Sequence, residues 1–117
     1  MKDFLYIFRD TLQNTEAYMK LSPAEIEADM QRWNAWMTGL AESGNLGTGQ
    51  PLLPEGKVVK GPSKKITDGP YVEGKDIVGG YMLIKAKDLQ QATELSKGCP
   101  ALLSPGGTVE VREIMPM

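Results

Sequence analysis

Histidine is absent from the 117 residues. That excludes Ser-His-Asp triads, Cys–His pairs and the commonest transition-metal ligand, so any acid–base chemistry would fall to Asp, Glu, Lys, Tyr or Cys. Cysteine occurs once, at Cys99, which rules out an internal disulfide and points to a reducing, cytoplasmic setting. With no histidine and one thiol there is no ligand cluster, and neither a metal nor an organic cofactor is expected. The chain also lacks a long apolar run. Nothing approaches the roughly 20 residues of a membrane span, and the stretch Phe4–Phe8 is too short for a secretion leader and has no small-residue cleavage site after it. There is no excess of basic charge, since Lys and Arg total 13 against 15 Asp and Glu. Direct contact with nucleic acid or an anionic membrane is therefore not expected. Nor is there a dinucleotide fingerprint: Gly47-Thr48-Gly49 lacks the third glycine, and no strand leads in and no helix leads out.

What is present is an ordinary globular composition, 41% hydrophobic and 24% charged, in a length that suits one domain over residues 1–117. Phe4–Phe8 reads as a strand apolar on both faces, with Phe4, Tyr6 and Phe8 on one side and Leu5 and Ile7 on the other. Asp10–Leu21 is polar and irregular and reads as a loop. Ser22-Pro23-Ala24-Glu25 then opens a helix, with Ser22 as N-cap, Pro23 in the first turn and Glu25 completing a capping box. Ile26, Met30, Trp33, Met37 and Leu40 form one apolar stripe with Trp36 at its edge, and Gly44 is a natural terminator. Trp33 and Trp36 read first as packing against a sheet and second as an aromatic ligand-binding wall.

Asn45–Pro51 is rich in glycine and ends in proline. Lys57–Lys60 and Lys64–Thr67 read as two short strands joined by Gly61-Pro62-Ser63. Their four lysines fit a solvated edge hairpin, with anion binding as the alternative. Ile77–Ala86 is the longest strand and is also apolar on both faces, and Gly79-Gly80 inside it marks a bulge or a close backbone approach. Asp88, with Gln91, caps a second helix that Gly98 ends. Thr108–Met115 closes the chain as a largely alternating strand, with Glu110 and Arg112 on one side and Val109 and Val111 on the other.

The order strand, helix, hairpin or strands, strand, helix, strand indicates α+β, with both helices on one face of an antiparallel sheet. The second face is apolar in two strands and has no helical layer of its own to cover it. A second copy of the chain, sheet against sheet, is the economical cover, so a homodimer is expected.

The corner Thr67–Lys75 holds the polar groups of most interest. Pro70 fixes φ after Asp68-Gly69, and Tyr71, Glu73 and Lys75 follow. Asp68 is expected to accept hydrogen bonds that order this turn. A site is expected between the sheet and the first long helix, lined by Asp68, Tyr71, Glu73 and Arg112, with Trp33 or Trp36 and Glu110 beside it. In that site Asp68 would be the base, Arg112 would hold an anionic oxygen, and Tyr71 would donate a proton or serve for packing. Glu110 and Arg112 read equally as a structural ion pair. Cys99, next to Pro100, reads as a small buried hydrophobe.

Asp68-Gly69-Pro70-Tyr71, Glu73-Gly74-Lys75, Gly79-Gly80-Tyr81, Cys99-Pro100 and Gly107–Arg112 together resemble the YCII-related family, and within it the branch named for an Asp-Gly-Pro-Phe motif, with Tyr71 where Phe is usual. The resemblance extends through the Trp33-x-x-Trp36 helix and covers essentially the whole chain. It implies a ferredoxin-like βαββαβ subunit that pairs into a dimeric α+β barrel. Relatives in the wider family carry a His–Asp pair in a cleft, which a chain without histidine cannot reproduce. Members of the Asp-Gly-Pro-Phe branch have been labelled transcription-related, but no helix-turn-helix pattern occurs here. The leading functional expectation is a small-molecule-binding or regulatory module. The alternative is a histidine-free lyase- or isomerase-like enzyme that uses a carboxylate base.

Overall fold

A computed structural model describes all 117 residues. The elements are β1 (Lys2–Thr11), α1 (Leu12–Tyr18), α2 (Pro23–Glu42), β2 (Leu46–Pro51), β3 (Gly56–Lys60), β4 (Lys65–Gly69), β5 (Asp76–Ala86), α3 (Leu89–Ser96), a 3-10 turn (Pro100–Leu103) and β6 (Thr108–Glu113). The main sheet runs β2-β5-β1-β6, antiparallel throughout, while β3 and β4 pair only with each other. This is the α+β, ferredoxin-like arrangement, with the β3–β4 hairpin inserted as an arm between the second and third strands of the sheet.

The caps around α2 form as its sequence dictates. The Ser22 side chain accepts from the Glu25 N–H, the Glu25 carboxylate accepts from the Ser22 N–H, and Gly44 takes φ +78° just past the helix end. The bulge falls at Gly79: Phe8 pairs with Gly80 and Arg9 with Val78, leaving Gly79 unpaired in the ladder. Asn45, nearly buried, joins the end of α2 to β5. Its N–H donates to the Leu40 carbonyl at 2.8 Å and its side-chain amide to the Lys85 carbonyl at 2.6 Å.

Four features depart from the sequence expectations. Residues 12–18 form a helix rather than a loop, because the Thr11 hydroxyl caps it by accepting from the Asn14 N–H at 3.0 Å. The glycine-rich stretch after Asn45 is an edge strand. Its glycines are what allow it to lie close to β5: a Cβ on Gly47 would stand 2.3 Å from the Leu83 carbonyl oxygen, and one on Gly49 2.5 Å from that of Tyr81. The hairpin joins neither edge of the main sheet. Met30, read as part of the apolar stripe, is 51% exposed, because the core contacts of α2 gather from Trp33 onward.

Phe4, Tyr6, Met82, Ile84 and Ala86 on the sheet pack against Leu40 and Ala92 from the helices. Tyr6 stacks on Trp36 with ring centroids 6.0 Å apart, and Phe8 meets Trp33 edge to face at 5.2 Å. The Tyr6 hydroxyl donates to the Ala92 carbonyl at 2.5 Å and the Trp36 indole N–H to the Leu95 carbonyl at 3.1 Å, so both buried polar tips are satisfied. On the opposite face Leu5 pairs across to Leu83 and Ile7 to Tyr81. Leu5, Ile7 and Leu83 are half-buried and Tyr81 is exposed. No helix is long and apolar enough to cross a membrane.

Candidate functional site

The space between the sheet and α2, where a site was expected, is filled. The aromatic cluster of Tyr6, Phe8, Trp33 and Trp36 occupies it, so both tryptophans pack against the sheet. Asp68 does not reach that space. It sits on β4 opposite Lys57, its side chain 88% exposed, and accepts from the Lys57 ammonium. It was expected to accept hydrogen bonds from backbone or side-chain donors that order the turn, and the bond it accepts is the cross-strand ion pair with the Lys57 side chain on the arm. Glu73 lies exposed beyond the arm in a tight turn where it bridges Asp76 around Gly74, which takes φ +64°. Arg112 is on β6, the far edge of the main sheet, with its side chain 70% exposed. A monomer thus does not gather Asp68, Glu73 and Arg112.

Glu110 and Arg112 do meet, though with a third member that the sequence reading missed. The Arg9 guanidinium donates to the Glu110 carboxylate, and Arg112 Nε lies 4.0 Å from its other oxygen. The triad sits on the uncovered sheet face, with Ile7 of β1 directly opposite Glu110. Continuing the alternation Leu5, Ile7, Arg9 would have placed Arg9 there. One carboxylate between two guanidiniums is an ion-pair network with a residual positive charge.

An open hollow lies at the root of the arm. It has a volume of about 450 Å³ and is lined by Pro51, Leu52, Leu53, Glu55, Pro70, Tyr71 and Val78. Three stretches build it. Pro51 ends the edge strand β2, and the Leu52 N–H donates to the Gly79 carbonyl at 2.9 Å, which holds the chain against the bulge of β5. Pro70, joined to Gly69 by a cis peptide bond, turns the chain out of β4 and brings Tyr71 to the rim. The walls are apolar, and Glu55 and the Tyr71 hydroxyl are the polar groups on side chains. Of the expected site residues only Tyr71 lines it. Nothing local in the sequence indicated that Leu52 and Leu53 face Pro70. A second hollow of about 310 Å³ opens beside β2, among Asp3, Thr48, Leu83, Lys85 and Ile114. No three His, Cys, Asp or Glu side chains converge on a point.

Two residues of the motif that carries the resemblance, Pro70 and Tyr71, thus line the hollow at the arm root, and the sheet order is that of a ferredoxin-like subunit. The family model of the YCII-related domain matches residues 7–117. The chain belongs to the YCII-related family. No curated protein matches it. The matched span takes in every element from within β1 to β6, including the inserted arm, so the hollow at the arm root belongs to the YCII-related domain itself.

Proposed function

We propose that this YCII-related chain, read as a member of the Asp-Gly-Pro-Phe branch, is a cytoplasmic homodimeric module that binds a small molecule, with a regulatory rather than a catalytic role. The observation that carries the binding reading is the apolar hollow at the arm root, whose rim is Tyr71 and whose one charged group is Glu55. Concave, mostly apolar surfaces with few polar groups are where small ligands bind. The dimer reading rests on the uncovered face of the sheet. Leu5, Ile7 and Leu83 form an apolar stripe there without a covering layer, and sheet-on-sheet packing of two copies would close it into an α+β barrel. In that barrel the Arg9–Glu110–Arg112 triad would lie at or near the seam.

Binding is favoured over the enzyme alternative by the placement of Asp68. A carboxylate base needs its proton donor or anion clamp within hydrogen-bond reach, and Asp68 instead engages Lys57 on the arm, away from Arg112. The test is a thermal-shift screen of small-molecule classes against the intact chain, repeated on Tyr71→Ala. A ligand that raises the unfolding temperature of the parent, and does so only weakly in Tyr71→Ala, supports the reading. Stabilisation that is equal in the two proteins would move the ligand elsewhere. Turnover of any stabilising ligand would restore the enzyme.

A further inference from the structure

The arm departs from the usual rules for a stable hairpin in three ways. It is an isolated two-stranded sheet, and such a sheet has marginal stability in water without a surface to pack on. Its register sets Lys60 directly opposite Lys65, and like charges in that position repel. Its one apolar cross-strand pair, Val59 with Ile66, is 62% and 66% exposed. Residues 57–65 carry four lysines and no acid. Of these Lys57 is paired with Asp68, whereas Lys60, Lys64 and Lys65 have no acidic partner in the chain. The arm therefore presents a small apolar centre with an unneutralised basic rim.

The same molecule carries the complementary surface. Residues 10–29 hold five acids against a single Lys20. The end of α1 and the first half of α2 are joined into one shoulder by the Tyr18 hydroxyl, which donates to Asp29 at 3.0 Å. Met19 and Met30 stand 56% and 51% exposed on this shoulder. Glu27 lies one turn before Met30 on the same face of α2, and Glu16 is on α1. Both are exposed and unpaired. An apolar centre with a charged rim is the anatomy of a specific contact, here with opposite signs on the two sides.

We propose that the arm of one protomer clasps the α1–α2 shoulder of a second copy, with Val59 and Ile66 against Met19 and Met30, and Lys60, Lys64 and Lys65 facing Glu16 and Glu27. The clasp rests on the homodimer reading above and adds a second contact to it. In a two-fold dimer it forms twice, arm to shoulder in each direction. It gives Met30 and the arm's apolar pair the cover that the single chain leaves out.

The test measures self-association by sedimentation on three full-length proteins: the parent, the arm variant Lys60→Glu/Lys64→Glu/Lys65→Glu, and the shoulder variant Glu16→Lys/Glu27→Lys. All five substitutions are at exposed positions, and circular dichroism checks that the fold is kept. Each variant is expected to dissociate at a concentration about tenfold higher or more than the parent. An equimolar mixture of the two variants is expected to recover association to within about threefold of the parent, because a mixed dimer pairs reversed arm with reversed shoulder on one side and native with native on the other. A parent dimer with both variants unchanged overturns the clasp and leaves the dimer standing. Weakening without recovery in the mixture also overturns it, since the arm would then act within its own chain or elsewhere. A parent that is monomeric removes the homodimer reading itself.

Discussion

Ile84 in β5 and Ile66 in β4 are both isoleucines in antiparallel strands, yet one is 1% exposed and the other 66%. Ile84 lies on a strand flanked by two others, under Leu40 and Ala92. Ile66 lies in a two-stranded sheet with nothing above it. A side chain's contribution is set by the layer that closes over it more than by its strand or its type. The covered half of the main sheet is complete within one chain, with aromatic tips hydrogen-bonded and no buried side-chain donor or acceptor left without a partner. The arm and the uncovered sheet face have no covering layer within the chain.

The sharpest way to break this contrast is to truncate one side chain in each region. Phe4, fully buried, should lose about 3–5 kcal/mol of unfolding free energy as Phe4→Ala, through lost transfer energy and the cavity left behind. Ile66→Ala, measured by urea unfolding at low protein concentration, should change it by no more than about 0.5 kcal/mol. Similar losses in the two variants would mean that the arm is packed.

The covered half should also be sensitive to alkali. Burial pushes the Cys99 thiol up to about 12, from about 8.5 in an unfolded chain. Between those values the unfolded chain gives up a proton that the folded chain keeps, so stability is full below about pH 8.5 and falls as pH rises, by at most about 1.4 kcal/mol per pH unit from this group. Burial raises Tyr6 as well, which adds a fall of the same sign above pH 10. Urea midpoints between pH 8.5 and 10 should decline in the parent and stay flatter in Cys99→Ala. Parallel declines would mean that the thiol is not the cause.

The smallest effect belongs to the corner motif. Asp68→Ala removes an exposed ion pair with Lys57 and should lower stability by less than about 1 kcal/mol. A loss of about 2 kcal/mol or more would show that Asp68 holds the arm by contacts beyond Lys57.

Much of the covered half could be read from the chain. The capping box at Ser22, the terminator Gly44 and the bulge at Gly79 are local signals with local causes, and each lies where its residues indicate. α1 was hidden because Thr11, Asn14 and Thr15 are as common in loops as at a cap. β2 was hidden because Gly47 and Gly49, ordinary loop residues, here serve a close approach to β5 that only the neighbouring strand makes visible. For the site, Tyr71 was legible from its motif, while Glu55, Leu52 and Arg9 were not, because their partners lie on other elements.

By itself the sequence determined that no histidine or internal disulfide is available, the helices and strands other than α1 and β2, and the two-faced apolar character of β1 and β5. These depend on residue type and on spacing along a few turns or a few pleats. Only the tertiary structure decided that the space under α2 is filled by aromatics, that Asp68 and Arg112 stand on separate sheets, and that Pro70 and Tyr71 close a hollow with Leu52 and Leu53. Those outcomes depend on which segments meet across tens of residues, and the register and layering that bring them together are properties of the whole packed sheet rather than of any one stretch within it.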